Sequence, residues 1–364
     1  MKKYDVIIIG GGTAGLMLAR ELGKQKHATL ILDRKTNLLE FSFNTLGSFM
    51  KVEDFGLSEN VIAQKIDSGI IHSKSLKENI KLEACILDKK IVHQELLESL
   101  HKDFVDIVLD VHIKNIVSDS KENYTSITDK NGNVYKASIF VDASGTNGVF
   151  SKKVGLTQKK PALAVGVEYN VKYLGKVNEA HLMIGKDYKG GYGWIFPLKN
   201  NRAIIGFGSF DESMVKGLKD KLNSILELPK IKALVLKDNE NVEGGSIPIT
   251  PVLDKFVDKN LVCVGDSVSQ VNPIVGEGYK FIFEAAIMAS KAIDKALKNN
   301  DLSLLFEYED NWKNRFLSNY KRSKIAQTRI FKLSKKDFLT DIGMILLKLR
   351  SNKKNVQTLS GEYN

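Results

Sequence analysis

Six residues near the N-terminus, Gly10-Gly11-Gly12-Thr13-Ala14-Gly15, have the types and spacing of a turn that cradles phosphate. Gly10 suits a tight turn out of a strand, Gly12 lets a pyrophosphate approach bare backbone, and Gly15 lets the next helix pack close to that strand. Thr13 and Ala14 within the turn are further candidate contacts, and the unpaired N–H groups at the start of the following helix face the anion. Asp33, 18 positions after Gly15, ends a second apolar run, where its carboxylate can accept hydrogen bonds from a ribose. Arg34 follows it as a further contact.

A second stretch, Leu261-Val262-Cys263-Val264-Gly265-Asp266-Ser267, ends an apolar strand in Gly-Asp, and Asn272-Pro273-Ile274-Val275-Gly276-Glu277-Gly278 then precedes a helix expected over 279–297. Backbone N–H groups at such a helix start stabilise the negative charge a reduced flavin carries near N1 and its C2 carbonyl. NAD and FAD share the first turn. The second stretch favours FAD, with Gly265, Asp266, Pro273, Gly276, Glu277 and Gly278 as candidate contacts.

Tyr192, Trp194 and Phe196 alternate within Gly190-Gly191-Tyr192-Gly193-Trp194-Ile195-Phe196-Pro197. In a strand all three share one face. The face suits a long apolar substrate, and its competing reading is core packing. Gly190, Gly191 and Gly193 leave backbone uncovered where a ligand could approach.

These residues need a scaffold. Val6–Ile9 reads as a buried parallel strand, 16–23 as a helix and 28–32 as a second strand, a βαβ unit around the glycine turn. Residues 104–116 alternate as a strand pair, Asp129-Lys130-Asn131-Gly132 is a turn, and 137–141 is a strand running into Asp142-Ala143-Ser144-Gly145. Strands are expected at 164–171 and 202–207. The strand-rich middle splits the dinucleotide-binding sequence. We therefore expect a discontinuous FAD-binding domain (1–155 and 245–300), a β-rich substrate domain (156–244) and a basic helical C-terminal segment (301–364).

With 364 residues and 43% hydrophobic content, the chain can bury a sizeable core and is expected to form two lobes. Two cysteines exclude a disulfide framework, and a cytoplasmic location with Cys85 and Cys263 as buried thiols is the default. No apolar run approaches the roughly 18 to 20 residues of a membrane span. The formal charge is +11, and residues 311–364 hold 13 Lys/Arg against 3 Asp/Glu, a net +10. There, Phe338, Leu339, Ile342, Ile345, Leu346 and Leu349 recur at helical spacing beside Lys335, Lys336, Lys348, Arg350, Lys353 and Lys354. Such a helix suits a membrane interface, with peripheral attachment. A helix packed on the substrate domain with a solvated basic face is the competing reading. No nucleic-acid module accompanies the charge, so nucleic acid is not an expected partner.

The Gly265-Asp266 and Pro273–Gly278 segments resemble the second FAD-binding stretch of the p-hydroxybenzoate hydroxylase-like flavoproteins. Tyr192-Gly193-Trp194-Ile195-Phe196-Pro197 resembles the Tyr-x-Trp-x-Phe-Pro motif of the geranylgeranyl reductases within that group. The resemblance implies an α/β fold: a Rossmann-like FAD-binding domain, an inserted β-rich substrate domain and a C-terminal helical segment. It implies FAD as cofactor, reduction of carbon–carbon double bonds in a prenyl or isoprenoid lipid, and an external electron donor, NADPH or ferredoxin. Tyr192, Trp194 and Phe196 become candidate substrate contacts. The sequence names no catalytic acid or base.

Two positions depart from the family. Alignment puts His93 where members often carry an Arg, so a permanent charge is missing from this cofactor contact. Archaeal members carry an Arg-Cys-Gly-like stretch after the second strand, whereas this chain has Phe43-Asn44-Thr45-Leu46-Gly47-Ser48. Flavin halogenases show a related Trp-x-Trp-x-Ile-Pro segment. A flavin-dependent monooxygenase or halogenase is therefore the alternative activity, and a non-catalytic FAD- or isoprenoid-binding protein a further one.

Overall fold

The computed structural model describes residues 3–119, 123–156, 162–188, 190–239, 241–249 and 255–363. Residues 157–161 and 250–254, at the expected domain junctions, lie outside them. Val6, Ile7 and Ile8 are fully buried because Tyr4–Ile9 is the inner strand of a sheet covered on both faces. Across that sheet the order is Val257–Asp258, Leu261–Cys263, Val134–Asp142, Tyr4–Ile9, Thr29–Leu32, Val105–Val108. The central pairings are parallel, and the edge pair Val257–Asp258 and Leu261–Cys263 is antiparallel.

The helices Thr13–Lys24 and Tyr279–Asn299 pack on each other over this sheet. Ala285, Ala286, Ala289 and Ala292 are buried on the second helix, and such short side chains allow close approach. The cores of both helices thus bring the glycine turn and the Gly276–Gly278 turn to one end of the sheet. The strand pair expected within 104–116 forms differently. Val105–Val108 runs parallel to Thr29–Leu32, and Ile113–Ser118 pairs with Tyr124–Asp129. Asp110, at φ 58°, turns the chain between them. Alternation marks a strand but not its partner.

A second sheet has the order Val235–Leu236, Leu163–Tyr173, Arg202–Ser209, Tyr192–Leu198, Glu179–Met183, Ile62–His72, Lys77–Asp88, Thr45–Ser48, and Val242–Pro248 also pairs with Leu163–Tyr173. Three of these strands, between residues 45 and 88, come from the N-terminal segment. One face of the sheet packs Tyr169, Val171, Ile195, Ile205 and Phe207 against Leu222 and Ile225 of the helix Leu218–Leu226. The opposite face carries Ala164, Gly166, Glu168, Tyr192, Trp194 and Phe196 and looks towards the first sheet.

The C-terminal helices Ser318–Leu333, Asp337–Leu349 and Asn352–Ser360 close the molecule. Met344 packs with Ile71 and Ile80 of the second sheet. Cys85 and Cys263 are buried free thiols. Among the described residues, no helix is long and apolar enough to cross a membrane.

Candidate functional site

The glycine turn divides its labour as the spacing requires. Gly10 has φ +109°, and a Cβ there would lie 2.3 Å from the Ala143 carbonyl oxygen. A Cβ on Gly15 would lie 1.9 Å from the Gly10 carbonyl oxygen. Gly12 is different: a Cβ there meets nothing within 4 Å, because its Cα faces open cavity. Gly12 is also the N-cap of Thr13–Lys24, and no side chain caps that helix start. Asp33 is pinned at the mouth, its Oδ2 accepting from Gly11 N at 2.6 Å and its Oδ1 from Lys35 N at 2.8 Å. Arg34 is exposed at the same edge. Asp142 shapes the neighbouring loop: it accepts from Ser144 N and Oγ with one oxygen and from Phe150 N and Ser151 N with the other.

The second stretch meets the first across the cavity. Gln270 Oε1 accepts from Gly265 N at 2.7 Å, Asn272 O accepts from Gly276 N at 2.9 Å, and Gly276 sits at φ +72°. The helix Tyr279–Asn299 starts at Gly278, again with no side-chain cap. Burial raises Asp266 to about 6, against the pull of Lys89. Glu277 is buried, its Oε1 accepting from Ser48 Oγ at 2.5 Å and Phe49 N at 2.8 Å, and burial raises it to about 7. The C-terminal helices brace this turn, with Gln327 Nε2 donating to the Pro273 carbonyl and Asn272 Nδ2 to that of Leu359.

One cavity of about 660 Å³ joins the two stretches to the aromatic strand. Gly10, Gly12, Thr13, Ala14, Asp33, Arg34, His93, Asp266, Gly276, Glu277, Gly278, Tyr192, Trp194 and Phe196 all line it. Gly15, Gly265 and Pro273 lie behind the lining and shape it. Two uncapped helix starts opening on one cavity, one with a bare glycine Cα, fit the pyrophosphate and the flavin edge of an extended FAD.

His93 lies on the helix Lys89–Glu98 and is buried. Its Nε2 is 3.1 Å from Thr13 Oγ1 and 3.3 Å from Tyr279 OH, and its Nδ1 has no partner. Burial, with Lys89 and Lys35 nearby, holds its pKa down at about 3, so the ring stays neutral. Lys89, one helical turn earlier, brings a cation to the same lining, over the Phe43 ring at 3.7 Å. The alignment pointed only to His93 because it considers one position at a time, whereas i and i−4 share a helix face.

At the far end, Tyr192 OH donates to the Val275 carbonyl at 2.5 Å, tying the aromatic strand to the FAD-binding turn. The Phe196 ring rests on Gly47, 3.2 Å from where a Cβ would be. Trp194 lies across Gly206, flanked by Gly166 and Gly208, and its Nε1 donates to Glu168 Oε2 at 3.2 Å. Among the described residues no cysteine lines the cavity. Cys85 lies behind Met50 instead, its thiol pushed up to about 12 mainly by burial. Sequence reasoning missed Glu168. The signal available was an acidic residue at alternate spacing with Ala164 and Gly166, where the apolar first half of the strand gives way to Asn170 and Lys172.

The lycopene cyclase protein family matches residues 5–356 of the chain. Over 332 residues the chain is 29% identical to a digeranylgeranylglycerophospholipid reductase of Methanococcus aeolicus, covering 86% of this chain and 83% of the relative. The fold is similar to a geranylgeranyl bacteriochlorophyll reductase-like protein of Thermoplasma acidophilum, with TM-score 0.82 and 20% identity over 94% of this chain and 90% of that one. It is also similar to HpxO of Klebsiella pneumoniae, solved with FAD, with TM-score 0.75 and 13% identity over 99% and 98% of the two chains. These findings bear out the Rossmann-like α/β fold.

Proposed function

The chain belongs to the lycopene cyclase protein family, and from that premise we propose that it reduces carbon–carbon double bonds in the prenyl chains of an isoprenoid lipid. The observation that carries this reading is the placement of Trp194, between Tyr192 and Phe196, on the wall of the same cavity that the two FAD-binding stretches line. Bound there, FAD in its reduced form supplies the hydride. Gly12 and the helix starts at Thr13 and Tyr279 hold the phosphates and the flavin edge, with Asp33 at the ribose. The aromatic strand offers the alkene a flat apolar surface, and the Val275 anchor of Tyr192 keeps that surface at a fixed distance from the FAD-binding turn. An external donor, NADPH or ferredoxin, supplies the electrons.

The helix Asp337–Leu349 supports peripheral attachment to the membrane that holds such a lipid. Phe338, Ile342, Ile345, Leu346 and Leu349 are exposed along one face, while Thr340 and Met344 on the other are buried. Lys335, Lys336, Lys348 and Arg350 border the apolar face and are exposed too. Each cation near an anionic surface contributes about 1 kcal/mol. Phe331, at the end of the preceding helix, stacks on Tyr192 and touches Phe210, so this element reaches from the exposed face to the cavity wall.

The test is product analysis. Chemically reduced holoprotein, kept anaerobic with a geranylgeranyl glycerophospholipid, is expected to yield lipid that gains a pair of hydrogens per reduced bond. Product bearing oxygen or halogen, formed only in air, would replace this reading with the oxygen-using one. Unaltered lipid retained by the protein would make it a binding protein.

A further inference from the structure

We propose that Glu168 is the acid that delivers the proton in the alkene reduction, a role that rests on the reductase reading above. The register of the second sheet builds the site. Glu168 is opposite Gly206, and Gly206 is opposite Trp194. A Cβ on Gly206 would lie 2.1 Å from the indole, so only a bare Cα lets the Trp194 ring cross that strand and reach Glu168. The indole N–H is a donor only, so it fixes Oε2 as an acceptor and leaves Oε1 to carry the proton. Glu168 is 7% exposed, lines the cavity beside the aromatic wall, and its Oε1 is buried without a partner.

The other flank of the strand brings a second carboxyl close. Glu243 is directly opposite Glu168, and two like charges so placed repel. Glu243 accepts from Asn44 N and Asn44 Nδ2, both at 2.8 Å. Glu168 has no comparable donors. Burial first, then Glu243, raises it to about 8, while the Trp194 hydrogen bond and the Lys89 ammonium pull the other way. It is therefore a protonated acid at neutral pH. The other lining groups serve less well: His93 is unprotonated, the Tyr192 hydroxyl is committed to Val275, and Glu277 is held at the FAD-binding turn by Ser48 and Phe49.

The step balances as follows. The π bond breaks, one carbon gains the hydride supplied by reduced flavin, and its neighbour gains the proton from Glu168 Oε1. The alkene is reduced by two electrons and the flavin is oxidised by two. The carboxylate regains a proton from water when product leaves, and two electrons from the external donor, with a proton from water, restore the flavin.

The test pairs Glu168→Gln, which keeps an acceptor for Trp194, with wild-type holoprotein. Infrared titration of wild-type protein is expected to show, beside the Glu277 signal lost near pH 7, a second protonated carboxyl lost near pH 8 and absent from the variant. Flavin affinity and lipid affinity should be unchanged. Reoxidation of the reduced variant by a geranylgeranyl lipid should be roughly 10²- to 10⁴-fold slower, the usual range for losing a general acid. Its rate should also lose the decline through pH 8 that the wild type shows. An ionised Glu168 at pH 7, or a variant as fast as wild type with the same pH profile, overturns the proposal alone. Wild-type protein that leaves the alkene intact overturns the reductase reading and this role with it.

Discussion

Gly12 and Gly15 are glycine for opposite reasons, and substitution separates them. Gly12 has open space where a Cβ would stand and a φ of −82° that any residue accepts, so Gly12→Val should fold normally. The new side chain would fill the pyrophosphate position, and FAD affinity measured by fluorescence titration should fall at least tenfold. Gly15→Ala brings its methyl carbon against the Gly10 carbonyl, so it should lower stability in chemical denaturation by about 1–3 kcal/mol, the range for overpacking. Both glycines were readable from spacing. Glu168 was not, since its meaning depends on Gly206 and Trp194 across two strand pairings that no local pattern encodes.

At the scale of elements, the aromatic strand was legible because alternation assigns side chains to a face, and the buried Ile195 between half-buried Trp194 and Phe196 shows that assignment in place. The partners of a strand are a different matter. The long strand Ile62–His72 joins the second sheet through its pairing with Glu179–Met183, more than a hundred residues away, and brings its hairpin partner Lys77–Asp88 with it; composition offers no guide to that pairing. The C-terminal helix carried two readings at the sequence level, and its two faces accommodate both. Met344 packs inward while Ile345 and Leu346 stay in solvent. Replacing Ile345 and Leu346 together by Glu should therefore abolish co-sedimentation with anionic vesicles while flavin content and melting temperature stay near wild type. Unchanged sedimentation would leave this face without a role at a membrane.

Across the whole molecule, two kinds of buried titratable group limit stability from opposite sides. Glu168 and Glu277 titrate above their ordinary 4.5, at about 8 and about 7. The unfolded chain ionises them first, so their contribution is whole below about pH 4.5 and is lost as pH rises through the folded values. His93 and His181 are lowered to about 3 and about 4, chiefly by burial, so their contribution is whole above about pH 6.5 and is lost as pH falls. Cofactor-free protein should be most stable between about pH 4.5 and 6.5 in denaturant titrations. Glu168 alone should account for a loss of about 2 kcal/mol from pH 6.5 to 8, absent in Glu168→Gln.

A single anaerobic turnover reaches furthest, because it requires the FAD-binding turns and the aromatic wall to act on one cavity. Holoprotein whose flavin has been bleached by a chemical reductant is mixed, without oxygen, with a geranylgeranyl glycerophospholipid, and flavin absorbance is followed. We expect the oxidised spectrum to return in step with saturation of the lipid. A flavin that stays bleached until air is admitted, with the lipid double bonds intact, would contradict the account.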